Sequence, residues 1–479
     1  MEQKIEVLKG IDSTGLDFWM ETVMRQCDRV RSNFDAEPVH DLRVALRRCR
    51  SMADGFMAFD PHPAWKQMKD EGRKLFQQLG ALRDTQVMLD WLQRLAPSLD
   101  SVRFALNQHL TDQERRLKES ASEAVRDFNQ KKWASWTRLL SRHARHIAPE
   151  SLAFQHLALE RWSEARFLHR QALRNRTQIA YHRLRIGLKK FRYTVENFLP
   201  FRHESWGNDL KELQDILGEV HDLDVLHRTA VSIKALSNER SRLVWRQRIA
   251  DERSRRLESY RAKMLGKTSL WYVWREGLPR ADQIKTAAMA RFRAWSEFRD
   301  PDFAHAEHVA RLAIQIYEGL NSLGLLPADT PADAHLLLEA AALAHDVGIS
   351  RGRKKHELNS YRMIRKLDPP LGWSAGSLRQ TALIARFHRG ALPHPHQKAF
   401  AGMSANMKPI ILTLCGILRL ANALDASHKR QIRRLEVKQE GEVLILTAPG
   451  YLEFDKTAEQ LAAARHLLES TCRVAIVIR

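Results

Sequence analysis

The sequence predicts a mainly α protein: a duplicated helical bundle, then a second all-helical domain that ends in a small α/β tail. Three observations lead there. Helix-period patterns, with few glycines and almost no alternating strand runs, dominate up to about Arg299. Two motifs recur later in the chain in the same order. Beyond Arg434 the pattern changes to period-two alternation. At 479 residues the chain also exceeds what a single core organises.

The repeat defines the first half. HDLRVALRRCR at residues 40–50 aligns with HRLRIGLKKFR at 182–192, a displacement of 142. LGALRDTQV at 79–87 aligns with LGEVHDLDV at 217–225, displaced by 138. Two blocks in one order at nearly one offset indicate a duplicated bundle, with copies over about residues 10–140 and 150–270 of a domain spanning 10–290.

Each copy carries a cationic stripe. His40, Arg43, Arg47 and Arg50 fall at i, i+3, i+7 and i+10, along one side of a helix, and His182, Arg185, Lys189 and Arg192 repeat the spacing. Arg48 and Lys190 widen the basic edge. An adjacent stripe is apolar in both copies: Val39, Leu42, Leu46 and Cys49 beside Tyr181, Leu184, Leu188 and Phe191. Like charges at helical spacing repel, so two such stripes point to a polyanion that neutralises them. Arginine grips phosphate oxygens bidentately, and histidine adds a donor when an anion raises its pKa. Asp84 and Asp222 suit a structural role, orienting arginines or capping a helix.

The formal charge of +21 is uneven. Residues 1–300 carry 55 Lys and Arg against 40 Asp and Glu, and the rest carries 23 against 17. Such a field attracts nucleic acid, acidic lipid or polyphosphate alike. Nucleic acid is not expected as a partner, because docking motifs are absent and the twelve tryptophans are not interleaved with the basic stripes. The longest uncharged apolar stretch, residues 410–418, is too short for a bilayer, and no signal-peptide pattern opens the chain. Cys27, Cys49, Cys415 and Cys472 form no CxxC pair. A cytoplasmic protein without disulfides is the expectation.

A turn-like patch at residues 299–302 ends the first half and offers a helix start. An all-helical domain is expected over 300–434. A hairpin around Glu440, Gly441 and Glu442, a helix over residues 457–471 and a strand over 474–478 would form an α/β subdomain at 435–479.

The first half resembles the CHAD family, conserved-histidine α-helical domains that bind inorganic polyphosphate. The likeness spans residues 10–270 and rests on both His-x-x-Arg blocks and both Leu-Gly…Asp blocks. It implies phosphate contacts from His40, Arg43, Arg47, Arg48, His182, Arg185, Lys189 and Arg192, with Arg50 and Lys190 beside them.

In the second half His305, His308, His345, Asp346, His356, His388 and Asp425 are separated by helical segments. His345 and Asp346 close an Ala-rich apolar helix, where such a pair is costly unless bonded or ligating. Imidazole with carboxylate suits Mn²⁺, Fe²⁺, Mg²⁺ or Zn²⁺.

Four spaced elements, HAEHVARLA at 305–313, LAHDVGI at 343–349, RFHR at 386–389 and LRLANALD at 418–425, resemble the HD superfamily of metal-dependent phosphohydrolases. The likeness is specifically to the C-terminal domain of exopolyphosphatase and guanosine pentaphosphate phosphatase proteins. It implies that His305, His345, Asp346 and Asp425 ligate the main metal, with His308 an alternative to His305. His356 and His388 would line the pocket or hold a second metal, acting with Asp346 in catalysis. One departure is His356-Glu357-Leu358-Asn359, where relatives often run His-His-x-His. Lys354, Lys355, Arg386 and Arg389 are candidates for holding an anionic substrate.

The expectation is therefore a protein that binds polyphosphate or its granules and hydrolyses a phosphoanhydride or phosphoester bond in polyphosphate or a phosphorylated small molecule. The alternative is a nonenzymatic granule-associated or nucleotide-sensing protein.

Overall fold

A computed structural model describes residues 15–32, 34, 36–97, 100–236, 238–451 and 456–479. The expected start of the first domain at residue 10 and the opening segment read for a signal peptide lie outside the described residues. The chain divides into two compact units, Met1–Arg280 and Ala281–Arg479. Seventeen α-helices and one three-stranded sheet are present among the described residues, which bears out the mainly α class.

The first unit holds α1 (Leu16–Ser32), α2 (Ala36–Phe56), α3 (Pro63–Leu95), α4 (Ser101–Asp127) and α5 (Gln130–Ala144). It continues with α6 (Leu152–Asn175), α7 (Gln178–Phe198), α8 (Pro200–Ser232), α9 (Glu239–Met264) and the short α10 (Leu270–Glu276). The duplication is visible as length: α2 and α7 each have 21 residues, and α3 and α8 each have 33. Proline opens both long helices, where its missing N–H costs nothing. Asp100 and Thr177 accept backbone N–H groups at the starts of α4 and α7. Leu42, Leu46 and Cys49 on α2 and Leu184, Leu188 and Phe191 on α7 are fully buried. That burial leaves the basic edge of each helix at the surface of the packed pair, and α2 packs on α7 while α3 packs on α8.

The second unit begins with α11 (Asp282–Glu297). Phe292 and Trp295 join the second core, so α11 belongs with this unit rather than with the first half. Then come α12 (Phe303–Ser322), α13 (Ala334–Ala344), a 3₁₀ turn (Val347–Arg351), α14 (His356–Ile364), α15 (Ala375–Arg386) and α16 (Met407–Leu424). The patch at 299–302 does start a helix: Asp302 caps α12 by accepting from the His305 N–H. By length and composition α16 could cross a membrane, and 67% of it is buried in this unit. It runs past the uncharged stretch 410–418 on both sides because Lys408 and Arg419 stay in the helix.

The tail forms β1 (Glu436–Glu440), β2 (Val443–Thr447), α17 (Lys456–Cys472) and β3 (Ala475–Ile478). β1 and β2 pair as an antiparallel hairpin, and β3 returns parallel to β2 after the α17 crossover. Leu444, Leu446, Leu468 and Ile476 share one buried cluster with Leu343, Leu383 and Leu418. The tail is thus a wall of the domain core rather than a separate body. α17 lies close on α16 because Gly416 has no side chain: a Cβ there would sit 3.1 Å from the Leu468 backbone.

Leu468→Ala should therefore destabilise the whole second unit by about 2–5 kcal/mol, as for a large-to-small change in a shared core. Thermal unfolding of the full chain checks this, and a change confined to the tail would contradict it.

Candidate functional sites

The first site is built on the end of α13. Its buried residues from Ala340 to Ala344, four alanines and Leu343, seat the helix in the core and leave His345 and Asp346 where the backbone turns. The turn is pressed onto α14: a Cβ on Gly348 would lie 2.2 Å from the His356 carbonyl oxygen and 2.5 Å from the Ser360 nitrogen. Ser360 Oγ donates to the His345 carbonyl (2.6 Å) and accepts from the Gly348 N–H (2.9 Å). This contact brings His356 to Asp346.

Three imidazoles are oriented alike. Nδ1 of His345, His356 and His388 lies 2.6, 3.0 and 2.7 Å from the carbonyls of Ala342, Arg353 and Ala385, three residues back in each case. A carbonyl can only accept, so each Nδ1 carries a proton and each ring turns its Nε2 toward Asp346. His356 Nε2 lies 3.0 Å and His388 Nε2 3.5 Å from Asp346 Oδ1, and His345 Nε2 lies 3.6 Å from Oδ2. His345 Nε2 is buried with no hydrogen-bond partner.

Two donor groups share Asp346. Ligand atoms of His305, His345 and Asp346 lie within 4.8 Å of one another, as do those of Asp346, His356 and His388. Asp425 stands outside both groups: its Oδ2 is 2.7 Å from His305 Nδ1, and its Oδ1 accepts from the Arg430 N–H at 2.6 Å. His308 is buried beside Arg311 and joins neither group. Burial opposes charge throughout, and the neighbours decide the outcome. The His345 charge and the histidine contacts hold Asp346 far below the usual carboxylate range despite its burial. Burial depresses His388, whereas in His305 it is outweighed by the hydrogen bond and charge of Asp425, which raise the pKa.

A cleft of about 380 Å³ opens over Asp346, His356 and His388, with Arg389, Arg419 and Gln460 on its walls. The Arg419 guanidinium is fixed by the carbonyls of Phe387 (3.3 Å) and Gly390 (2.6 Å). Arg386 instead lies over the Tyr361 and Phe387 rings, and Lys354 and Lys355 are exposed outside the cleft lining. The sequence reading did not single out Arg419 or Asn422, whose Oδ1 is 3.1 Å from His305 Nε2. Their spacing of six and three residues before Asp425 was the available signal. His428 carried no periodic signal, because it follows α16 in a left-handed turn with φ of 57°. Its ring stacks on His305 at 3.8 Å, and its Nδ1 is 2.7 Å from Asp302 Oδ2.

The second site lies in the first unit, where α2 meets α7. Arg47 from one copy and Lys189 and Arg192 from the other gather around the single Tyr193 ring, at 5.8, 5.7 and 5.7 Å from its centre. Asp84 feels Arg43 from the first copy, Arg185 and Lys189 from the second, and Arg83 on its own helix. Asp84 is mid-helix and accessible in this groove, so it caps nothing. Desolvation by the groove walls raises both Asp84 and Asp222, the latter to about 6 with the added repulsion of Asp84. His40 and His182 are exposed; His40 shares a pocket with Arg43 and Arg83, and His182 lies against the His221 ring.

Other basic residues are engaged elsewhere. Arg48 pairs with Glu196 at 2.5 Å and with Asn197, joining the two copies. Arg50 donates to the Lys69 carbonyl and lies over Phe76, and Lys190 pairs with Glu164. Arg43 Nε and Arg47 Nε are buried without a hydrogen-bond partner.

The second unit thus holds a buried His-Asp centre, and the first holds a cationic groove between duplicated helices. Residues 20–231 match the family model of the CHAD domain, and residues 295–464 match that of Ppx/GppA phosphatase, domain III. The chain fuses a CHAD domain to a Ppx/GppA domain III, as both sets of motifs announced. Among solved structures it is similar to the CHAD domain from the plant Ricinus communis, at 23% identity over 52% of this chain and 88% of that one, with a TM-score of 0.40. No curated protein matches the chain.

Lys189 gives a pH-dependent test of the groove. Burial, with Arg185 and Arg47 adding repulsion, lowers its pKa to about 8 from 10.5. Between those values the unfolded chain binds the extra proton, so this side chain adds stability as pH rises through that window and costs stability below it. Lys189→Met should raise the Tm at pH 7 by about 2–4 °C, the shift for roughly 1 kcal/mol in a unit of this size, and flatten the rise above pH 8. Thermal scans at pH 7 and 9 measure both.

Proposed function

We propose that the protein binds inorganic polyphosphate in its first unit and that its second unit is an HD-type, metal-dependent phosphohydrolase acting on phosphoanhydride or phosphoester bonds. Its substrate is polyphosphate or a related phosphorylated small molecule, and its four free cysteines suit work in the cytoplasm. The observation that carries the enzymatic reading is the buried, unpartnered His345 Nε2 in a cluster whose Nδ1 atoms are all committed to carbonyls. A lone pair so placed is costly unless a cation meets it.

The donor set fits a divalent ion. His305, His345 and Asp346, with Asp425 adjoining, would hold one, and His356 and His388 with Asp346 are the donors for a second. Mn²⁺, Mg²⁺, Fe²⁺ and Zn²⁺ all suit this mixture. When bound, such an ion lowers the pKa of water and neutralises charge on phosphoryl oxygens. The rest falls to the protein: Arg389 and Arg419 line the cleft to hold phosphate oxygens, and Arg419 is already fixed by two carbonyls, so little ordering is left to do.

In the first unit the support is the gathering of Arg43, Arg47, Arg185, Lys189 and Arg192 from both copies around Tyr193 and Asp84. Mutual repulsion there is relieved by a linear polyanion, whose phosphates match the arginine fork.

Purified protein should release phosphate from polyphosphate or a nucleotide in the presence of Mn²⁺, Mg²⁺ or Fe²⁺. Asp346→Ala should reduce that rate by more than the roughly 10–100-fold typical of losing a ligand's outer partner. Polyphosphate binding without stoichiometric metal or hydrolysis would instead favour a granule-associated or nucleotide-sensing role.

For the groove, polyphosphate affinity should fall with salt, and Arg47→Ala should reduce the slope of log affinity against log salt by about one. Lys190→Ala, held off the groove by Glu164, should change affinity by less than about twofold, since an exposed ion pair contributes little. Equal losses in the two variants would place the polymer elsewhere.

A further inference from the structure

At the N-terminal end of α2 the cationic groove meets a pocket of about 470 Å³, within the range of roughly 300–1,000 Å³ that small ligands occupy. On the α2 side its residues are ordered by chemistry. Half-buried Phe34 and exposed Glu37 come first, then His40 and Arg43, and Arg47 follows one turn later over the Tyr193 ring. Steps of three, three and four residues keep Glu37, His40, Arg43 and Arg47 along one side of the helix. One end of the pocket is therefore aromatic and acidic, and the other is cationic.

Leu79 and Leu82 of α3 give the pocket an apolar wall, and Arg83 stands beside them. His40, Arg43 and Arg83 have no ion pair among the described residues, and neither has Glu37. A bare polyphosphate chain uses only half of this arrangement. It carries negative charge throughout, so Glu37 repels it, and it has no apolar part to set against Phe34 and the two leucines. A ligand with phosphates at one end and a flat, amino-bearing ring at the other satisfies both ends at once. The ring stacks on Phe34 and its amino group donates to the Glu37 carboxylate. The phosphates then run past His40 and Arg83 to Arg43 and Arg47.

We propose that this pocket binds the nucleoside end of a nucleoside oligophosphate, whose phosphate chain lies along the adjoining part of the groove. The inference rests on the phosphate-binding reading of the groove above and goes beyond it in ligand class. It gives the first unit two ligands that compete for Arg43 and Arg47, an inorganic polyphosphate and a nucleotide.

ATP and tripolyphosphate test this, because both carry three phosphates and only one carries a nucleoside. Each is titrated by calorimetry into the full-length protein with EDTA present, so that no divalent ion is available to the second unit. The parent should bind ATP more tightly than tripolyphosphate. Phe34→Ala should reduce ATP affinity at least about fivefold, the loss of one stacked base, and change tripolyphosphate affinity less than about twofold. Arg47→Ala should weaken both. Glu37→Ala, at an exposed position, should weaken ATP more than UTP, whose uracil has no amino group, and should leave tripolyphosphate bound as well or better.

If the parent binds tripolyphosphate and ATP equally, or if Phe34→Ala leaves ATP binding untouched, the nucleoside site is overturned while phosphate binding by the groove stands. If the parent binds neither of them nor long-chain polyphosphate, both readings fall. Equal losses of ATP and tripolyphosphate in Phe34→Ala would make Phe34 a packing residue only and overturn the site. Should Phe34→Ala lower the Tm, Glu37→Ala decides, and equal changes for ATP and UTP there overturn the proposal.

Discussion

The second unit is organised by the cost of hiding polar groups from water. A buried imidazole or carboxylate must find a hydrogen bond, a counter-charge or a metal, and the turn after α13 gathers several of them at once. Three carbonyls, each three residues before its histidine, take one nitrogen of every ring and thereby fix the direction of the other. The backbone itself thus chooses the tautomer. Close packing at Gly348 holds α14 where His356 completes the cluster, so the chemistry of the site depends on a contact that carries no chemistry of its own.

The first unit solves a related problem by repetition. Its two copies bury equivalent apolar stripes against the bundle, and that burial leaves both basic edges near the α2–α7 contact. Arg47, Lys189 and Arg192 then share the face of one tyrosine, whose ring quadrupole offsets part of their repulsion. Asp84 and Asp222 lie among the cations with raised pKa values, since the groove walls strip some of their water. A groove of this composition is held together by helix packing rather than by its own charges; burial, with the repulsion of Arg185 and Arg47, takes Lys189 down to a pKa of about 8.

Much of this was legible in the sequence, because helices convert spacing into direction. The i, i+3, i+7 pattern placed the basic and apolar stripes, the paired motifs gave the duplication, and period-two alternation gave the hairpin. Motif order likewise marked His305, His345, Asp346, His356 and His388 as residues of one site, and all five occur in the two donor groups. Contacts between elements were less legible. Asn422 and Arg419 were one and two helical turns from Asp425, but periodicity does not say which neighbours a helix face meets. His428 sits in a turn, where no periodic rule assigns a direction.

The sequence by itself determined the helical class, the duplication, the chemical character of both sites and the identity of the histidines, since these follow from composition and local period. Only the tertiary structure decided which cations face the groove: Arg50 and Lys190 continue the stripe in sequence yet are drawn to the Lys69 carbonyl and to Glu164. It also decided that Asp425 holds His305, that Asp346 belongs to two donor groups, and that α11 and the α/β tail share the second unit's core. The physical reason is common to all of them. Local spacing fixes where a side chain starts, whereas the partner that captures its far end arrives from a distant part of the chain.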